Sequence, residues 1–322
     1  MNKKLLLCLN LFLFLFCAKK MLPPSPDRFP PHLIEVNPRS RVQIELVFDE
    51  AIDPSRFVPE SVEVVGLKIK GISLGRDRSR VLIWTEPQKQ ERYSVKGMVF
   101  DQSGNIGRFR AGFQGSVRID TIAPRIATVL PAPGTTGLFK NIKVVIRFSE
   151  PVDTAFPLNY LLVPRGYETL FQRSWNPNWQ EVRFVCRDSI GGQEFYFLLQ
   201  PGAQDLEGNR CLTPGWTYWS ADTVFQGIRV RGRAIKDGNP LRTGIVFFNQ
   251  EHTLALAPIL TDGSFELKLR PDDYLVFGVS DTDFDGLVDL ATETVRFNTL
   301  QESLNLLFVP ESLPRLIDEY CR

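Results

Sequence analysis

The chain has 322 residues with 38 basic and 37 acidic side chains, so its formal net charge is only +1. This balance leaves no electrostatic basis for nucleic-acid binding, and we expect no nucleic-acid partner. The length allows two or three domains, and the 23 prolines and 23 glycines between short β-rich runs predict an all-β fold.

The N-terminus has the pattern of an export signal. Lys3 and Lys4 precede the apolar run 5–16, LLLCLNLFLFLF, which as a helix would span only about 18 Å and is too short to cross a bilayer. Residues 1–17 are therefore predicted to be a signal peptide. The segment resembles a bacterial lipoprotein signal with Cys17 as the acylated cysteine, which implies a lipid anchor; ordinary secretion and an uncleaved anchor are the alternatives. Residues 18–32 contain five prolines and are predicted to be an extended tether.

A first domain is predicted over residues 33–117. In the segment 42–48, VQIELVF, apolar and polar residues alternate, as in a strand with one buried face. Further strands are expected at 61–65, 80–84 and 93–99, with polar turns between them. Short strands at this spacing favour an antiparallel β-sandwich.

One motif in this domain matches a hydrolase signature. Residues 71–75, GISLG, fit the Gly-x-Ser-x-Gly pattern, whose chemistry needs a strand-to-helix turn at Ser73 and a histidine later in the chain. No helical pattern follows Ser73, and the only later histidine is His252, two domains away. Ser73 is therefore interpreted as a strand residue. Since no other catalytic pattern is found, we expect that the chain is not an enzyme.

A second domain, predicted over residues 118–222, repeats features of the first. Strands are expected at 142–148, 182–187 and 194–199. The sequence FSEPVD at 148–153 repeats FDEAID at 48–53, and DLEGN at 205–209 repeats DQSGN at 101–105. An internal repeat of about a hundred residues indicates duplicated domains.

These motifs, together with DTIAP at 120–124 and PAPG at 131–134, give the second domain a resemblance to the bacterial Ig-like domain of the SbsA type, first seen in S-layer proteins. The first domain resembles it at fewer positions. The resemblance implies a small β-sandwich that serves as a stalk, spacer or adhesion module in secreted and surface proteins.

The acidic residues of the repeated motifs have two interpretations. Asp153 and Asp205 can accept hydrogen bonds from backbone N–H groups in turns, and Gly208 and Asn209 tolerate positive φ. Alternatively, Glu150, Asp153 and Asp205 could converge on calcium, which takes six to eight oxygen ligands. Turn chemistry is favoured, because a hairpin fixes the same spacing without an ion.

The cysteines and tryptophans of the second domain leave further alternatives open. Cys186 and Cys211 could form a disulfide in an oxidising compartment, or could be buried free thiols; Cys321 would stay unpaired. The four tryptophans could form a platform for sugar rings, although packing within the domain and at its junction is favoured. They are Trp175, Trp179, Trp216 and Trp219.

A third domain is predicted over residues 226–309, with strands at 226–235, 244–248, 265–269 and 275–281. Its segment TDGSFELKLRPDDYLVFGVSD, residues 261–281, resembles the transthyretin-like or carboxypeptidase-regulatory-like β-sandwich at the end of many bacterial surface proteins. The whole chain is thus predicted to be all-β, with three β-sandwich domains in series. Residues 310–322 are expected to be a tail with one short helical turn.

The segment DTDFDGLVD, residues 281–289, has the spacing of a calcium loop. Asp281, Asp283, Asp285 and Asp289 occupy positions 1, 3, 5 and 9, and a glycine at position 6 permits the sharp bend. With the carbonyl of Leu287, these carboxylates could bind calcium. The loop has a threonine at position 12 in place of a bidentate acid, so a solvated acidic turn is the alternative.

Two functions fit these features. The first is a non-enzymatic lipoprotein anchored in the bacterial cell envelope, at the outer membrane or cell surface, which acts as a spacer, adhesion or binding module for an unidentified protein or glycan. The second is the carbohydrate-binding accessory part of an exported polysaccharide-processing system. Sugar binding that depends on Trp216 and Trp219 would favour the second.

Overall fold

In the computed structural model the chain is almost entirely β-structure, arranged as three β-sandwiches in series. The structure describes residues 27–75, 77–155, 157–176, 179–190, 194–250, 253–301, 303–312 and 315–321. The predicted signal peptide, Cys17 and most of the predicted tether lie outside these residues. No helix within the described ranges is long and apolar enough to span a membrane.

The first domain is an antiparallel sandwich of two sheets. Its strands are β1 (Leu33–Pro38), β2 (Gln43–Phe48), β3 (Val62–Val65), β4 (Ile69–Leu74), β5 (Arg80–Thr85), β6 (Arg92–Phe100) and β7 (Ile106–Gln114), with a 3₁₀ turn at Pro59–Ser61. One sheet has the order β1-β2-β5-β4 and the other β3-β6-β7. Ile44, Leu46 and Phe48 on β2 are at most 2% exposed and point into the core, as the alternating pattern predicts.

The second domain repeats this architecture. Its strands are β8 (Ile126–Leu130), β9 (Ile142–Phe148), β10 (Tyr160–Val163), β11 (Gln172–Trp175), β12 (Glu181–Cys186), β13 (Glu194–Leu199) and β14 (Gly215–Ser220), with a 3₁₀ turn at Glu168–Leu170. One sheet has the order β11-β12-β9-β8 and the other β10-β13-β14. Val144, Phe184, Phe197 and Trp219 are fully buried between the two sheets.

The third domain is a sandwich with a different strand order. Its strands are β15 (Ile228–Lys236), β16 (Asn239–Pro240), β17 (Ile245–Gln250), β18 (Thr253–Pro258), β19 (Ser264–Leu269), β20 (Asp273–Ser280), β21 (Leu290–Ala291), β22 (Val295–Asn298), β23 (Ser303–Leu307) and β24 (Val309–Pro310). In one sheet β15 pairs with β16 and β19 and lies parallel to β23. The other has the order β18-β17-β20-β21-β24, with β22 also paired to β20. Two 3₁₀ turns, Thr299–Gln301 and Ile317–Cys321, complete the domain.

The second domain has its own core between its two sheets, and a further apolar core is shared between its sheet β10-β13-β14 and the third domain. The sheet β10-β13-β14 is buried on both faces. Its strands β10 and β13 accordingly carry apolar residues at consecutive positions, since both faces contact apolar surroundings. Phe195 and Phe197 on β13 face the core of the second domain, whereas Tyr196 and Leu198 face the third. β18 of the third domain packs across β13 and β10. The two sandwiches are therefore fused side by side along this sheet.

The sequence-based strands agree closely with the structure. Each of the eleven predicted strands is present, with both ends within two residues of the prediction. The helical turn expected in the tail is present at Ile317–Cys321, and the tail packs against the third domain. Ile317 enters the shared core, and the ring of Tyr320 lies 6.3 Å from that of Phe277.

The disulfide considered for Cys186 and Cys211 is absent, since both cysteines are free and buried. The Cys186 thiol donates to the carbonyl of Asp188 at 3.7 Å, and the Cys211 thiol to that of Thr213 at 3.5 Å. Each thiol thus donates a hydrogen bond to a carbonyl two residues later in the chain. Burial raises the pKa of both thiols. The structure therefore agrees with the alternative interpretation, in which Cys186 and Cys211 are buried free thiols.

Candidate functional sites at the domain junctions and the acidic loop

The repeated Asp-x-x-Gly-Asn turn of the first domain fastens the chain that enters the domain. Asp101 is 2% exposed, and its Oδ1 and Oδ2 accept the backbone and side-chain N–H groups of Asn105, both at 2.7 Å. The Asn105 amide also donates to the carbonyls of Asp27 at 3.0 Å and Phe29 at 3.2 Å. Gly104, at φ 89°, supplies the left-handed residue that closes the turn. Asn105 is therefore a clamp between the turn and the incoming segment.

The equivalent turn of the second domain makes the same bonds. Asp205 accepts the backbone N–H of Asn209 at 2.8 Å and its side-chain N–H at 2.7 Å. The Asn209 amide donates to the carbonyl of Asp120, in the linker between the domains, at 3.0 Å. Turn chemistry is thus confirmed for Asp205, and the sequence repeat is a repeated linker clamp.

The segments held by Asn105 and Asn209 are also related in sequence. Asp27 and Asp120 each begin an Asp-x-x-x-Pro pattern, which ends at Pro31 and Pro124. This second repeat is readable in the sequence, but its first copy falls in the Pro-rich segment predicted to be a free tether. Residues 27–32 belong instead to the first domain, because His32 donates its backbone N–H to Asp49 at 2.7 Å and the Asn105 clamp holds Asp27.

A glutamate stands beside each clamp. Carboxylate oxygens of Asp27, Glu50 and Asp101 lie within 4.8 Å of one another, and burial with the charge of Asp101 raises the pKa of Glu50. In the second domain, burial raises the pKa of Glu150 to about 8, and the negative charges of Asp205 and Asp120 add to the rise.

Asp153 is engaged elsewhere. Its Oδ1 accepts the backbone N–H of Ala155 at 2.9 Å, which is the turn bond expected from the sequence. Among the described residues, Glu150, Asp153 and Asp205 do not bring three ligand oxygens together. The calcium alternative for this motif is therefore not supported by the geometry.

The junction of the first and second domains carries one additional ion pair. Arg41, before β2, donates its Nε to both carboxylate oxygens of Glu207, at 2.9 and 2.8 Å. The Glu207 side chain is 1% exposed and that of Arg41 40% exposed. Glu207 belongs to the clamp turn itself, where the first domain has Ser103. The second clamp therefore binds the linker and the preceding domain together.

The junction of the second and third domains adds polar contacts at the edge of its apolar core. Arg270 forms ion pairs with Glu194, whose side chain is 8% exposed, and with Asp222 at 3.0 Å. On the opposite side, Arg210 donates to the carbonyl of Asp283 at 2.6 Å, and its guanidinium lies 5.8 Å from the ring centre of Phe284. The acidic loop thus lies at this junction.

The acidic loop brings three of the predicted ligands together. Carboxylate oxygens of Asp281, Asp283 and Asp285 lie within 4.8 Å of one another. Asp281 is 8% exposed, and its two oxygens accept the backbone N–H groups of Phe284 at 2.6 Å and Gly286 at 2.9 Å. Burial raises the pKa of Asp281, and the charges of Asp285 and Asp283 contribute, although the two backbone bonds oppose the rise. Each carboxylate oxygen retains a lone pair for a cation.

Asp289, a fourth predicted carboxylate ligand, does not belong to this group of oxygens. Asp289 accepts both the backbone and the hydroxyl donors of Thr282 on one oxygen, which closes the loop across its base. Leu287 forms a bridge with Leu316 in the tail. The structure therefore assembles Asp281, Asp283 and Asp285, while Asp289 closes the base of the loop and the ligand role of the Leu287 carbonyl stays a prediction.

The serine and two of the tryptophans considered as candidate site residues lie in strands of the sandwiches. Ser73 lies within the strand β4, not at a strand-to-helix turn. Trp219 is fully buried and stacks on Phe195, so it cannot contact a sugar ring. Trp216 is half-buried beside Tyr218, in a groove of about 540 Å³ between the second and third domains.

Neither a scan against protein-family models nor a search of curated proteins finds a match to this chain. Similar solved structures include α2-macroglobulin from Escherichia coli spanning domains MG0-NIE-MG1, with 12% identity over 83% of this chain and 96% of that one and a TM-score of 0.24. The titin I-band fragment I67–I69 is 10% identical over 87% and 99%, with a TM-score of 0.20. Surface layer protein SbsC, domains 1–6, is 11% identical over 84% of this chain and 41% of that structure, with a TM-score of 0.26. At these scores the similarities carry no inference about ligand or activity.

Proposed function

We propose that this chain is an exported, lipid-anchored protein of the bacterial cell envelope that acts as a non-enzymatic spacer or binding module. The observation that carries the proposal is that every junction along the described chain is fixed by contacts. The Asn105 clamp holds the incoming segment, Asn209 with the Arg41–Glu207 pair holds the first junction, and an apolar core joins the last two domains. Such a chain carries its second and third domains away from the membrane as one unit beyond the first domain.

The domain types belong to the same proposal. The first two domains are assigned to the SbsA-type Ig-like group on their shared motifs, and the structure gives both motifs the same hydrogen bonds. The third is assigned to the transthyretin-like group on the turn residues of the segment 261–281. Its two-sheet sandwich, with β15 parallel to β23, is compatible with that assignment. A non-enzymatic role is supported by the position of Ser73 within a strand.

Mass spectrometry of the mature N-terminus tests the anchor. We expect the protein purified from membranes to begin at Cys17 with acyl chains attached, and Cys17→Ser to leave the protein unprocessed or soluble. One acyl chain alone gives only marginal attachment, so stable anchoring requires the multiple chains of a lipoprotein. A mature protein that begins elsewhere and carries no lipid would contradict the anchored form of the proposal.

Calcium binding at the acidic loop is a second part of the proposal. Asp281, Asp283 and Asp285 supply the carboxylates, and calcium would relieve the repulsion among them at the junction beside Arg210. We expect 1 mM calcium to raise the melting temperature of the wild type and to leave Asp283→Asn/Asp285→Asn unchanged, since a ligand of the native state stabilises it by mass action. Identical melting curves in calcium and in chelator would refute this assignment.

Carbohydrate binding is the second candidate function, and one observation favours it. Trp216 and Tyr218 lie with Arg229 and Lys268 in the groove between the second and third domains, and aromatic rings with polar neighbours are suited to stack on sugars. A glycan array with wild type and Trp216→Ala tests it, with Trp175→Ala as the control outside the groove. Sugar binding lost only in Trp216→Ala would favour this function, and absence of binding would remove it.

A further inference from the structure

The outer face of the sheet β3-β6-β7 in the first domain is basic. Side chains alternate along the paired strands, so every second residue of β6 and β7 points away from the core. The exposed positions include four cations. They are Arg92, Lys96, Arg108 and Arg110. The chain as a whole has a net charge of only +1, so this cluster is a local feature.

Three of these four cations form no ion pair with any residue in the described part of the chain. Lys96 pairs with Glu63 at 3.0 Å, whereas Arg92, Arg108 and Arg110 form no ion pair with any residue that the structure describes. Lys96 and Arg110 lie directly opposite each other in the strand register. Like charges in that position destabilise a sheet. The fold therefore carries an uncompensated positive charge on this face.

A comparison within the chain shows that this arrangement is not required by the fold. The third domain also has arginines on the outer face of a sheet, Arg229 and Arg231 on β15. Both pair with Glu266 on the neighbouring strand, at 3.2 and 2.8 Å. These two arginines share an acidic partner, whereas Arg92, Arg108 and Arg110 form no ion pair with any described residue.

Exposed apolar side chains lie among the cations. Met98 is 43% exposed and Ile106 is 47% exposed on the same face, and Val65 on β3 is 44% exposed. Met98 lies opposite Arg108 in the register. Basic side chains around exposed apolar ones are the combination that binds the headgroup region of an anionic bilayer.

The position of the incoming chain brings this face to a membrane. Asn105 clamps Asp27 and Phe29 at the turn between β6 and β7, so the N-terminal segment leaves the domain beside Ile106. Only residues 18–26 separate Asp27 from Cys17, and nine extended residues reach at most about 30 Å. An anchor at Cys17, which belongs to the proposed function, would thus hold the face close to the lipid headgroups.

We infer that the outer face of β3-β6-β7 binds the anionic phospholipid headgroups of the membrane that carries the anchor. The arginines contact phosphate groups, and Met98 and Ile106 enter the headgroup layer. The contact would lay the first domain against the bilayer.

Vesicle binding of the unlipidated mature chain, residues 17–322 with Cys17→Ser, tests the inference separately from the anchor. We expect flotation with vesicles containing phosphatidylglycerol and none with pure phosphatidylcholine. Arg108→Gln/Arg110→Gln should weaken binding roughly twenty-five-fold, because each basic residue near an anionic surface contributes about fivefold. Salt at 1 M should abolish binding, because it shortens the Debye length to about 3 Å.

The matched control is Arg229→Gln/Arg231→Gln, which removes the same charge from the outer face of β15 in the third domain and should keep wild-type binding. An unchanged melting temperature in both variants shows that they are folded. Failure to bind phosphatidylglycerol vesicles, equal losses in the two variants, or preferential binding to soluble dextran sulfate would each overturn the inference. None of these results bears on whether Cys17 is lipidated, which mass spectrometry decides.

Discussion

The two domain junctions of this chain are built from opposite kinds of interaction. The first is polar: Asn209 binds the linker at Asp120, and Arg41 binds Glu207. The second is apolar, since Leu198 and Tyr196 of the second domain lie in the core of the third. Only at its edge does the second junction use ions, through Arg270 and its acidic partners.

This difference predicts different mechanical behaviour. The hydrogen bonds of the polar junction each contribute about 1 kcal/mol net. They orient the second domain relative to the first, and they can break without unfolding either domain. A shared core cannot separate without exposing apolar surface, at about 25 cal/mol per Å². The chain is therefore expected to bend between the first and second domains and to behave as one unit from the second domain onward.

The largest effect is expected from a cavity in the shared core. Leu198→Ala should lower the free energy of unfolding by about 2–5 kcal/mol and destabilise the second and third domains together, because Leu198 is 1% exposed between them. Leu46→Ala, in the core of the first domain, is the matched control and should destabilise that domain alone. Calorimetry of both variants measures this, and a Leu198→Ala effect confined to the second domain would show that the cores are independent.

Removal of the linker clamp should have a smaller effect. Asn209→Ala loses the bonds to Asp120 and Asp205 and should destabilise the second domain by about 1–2 kcal/mol. Limited proteolysis should then cut the linker 118–124 faster. Asn105→Ala makes the same change at the entry of the first domain and should leave the rate at 118–124 unaltered. Equal cleavage of this linker in wild type and Asn209→Ala would show that the clamp does not order the junction.

The stability of the second domain should depend on pH through Glu150. Its pKa rises from 4.5 in the unfolded chain to about 8 in the fold, so the native state retains the extra proton between these values. The contribution of Glu150 to stability is therefore greatest below about pH 4.5 and falls as the pH rises towards 8. Glu150→Gln should abolish this loss of stability with pH. At pH 8 the variant should be more stable than wild type by about 1 kcal/mol, which is less than the full pKa shift implies because solvent screens the partly exposed carboxylate.

Glu50→Gln is the control for the pH effect in the first domain. Burial raises the pKa of Glu50 less strongly, so this variant should change the pH profile of that domain less. Denaturant titrations at pH 4.5, 6 and 8 measure both. A wild-type second domain with the same stability at all three values would contradict the assigned burial of Glu150.

The smallest effect is expected from the Arg41–Glu207 pair. A double-mutant cycle with Arg41→Met and Glu207→Gln should give a small favourable coupling at low salt, because water reaches the 40% exposed Arg41 side chain and screens the pair, although Glu207 is 1% exposed. The coupling should decrease as salt is added. A coupling near zero would leave the Asn209 clamp as the determinant of the polar junction.

Sequence patterns located eleven of the 24 strands in the described residues, together with the duplication, because both depend on local alternation and turn residues. The shared core had a readable signal: in the segment EFYFLL of β13 both faces are apolar, which indicates burial on both sides. The partner of the second face could not be identified, since many apolar strands could supply it. Likewise the loop spacing predicts Asp289 as a calcium ligand, but the bonds that its carboxylate accepts from Thr282 depend on the folded loop.

Calorimetry of the wild-type protein tests the difference between the junctions most directly. The shared core predicts two unfolding transitions, one from the first domain and one, with about twice the enthalpy, from the second and third domains together. Leu198→Ala should shift only the larger transition. Three separate transitions, with the third domain unfolding independently of the second, would contradict a common core.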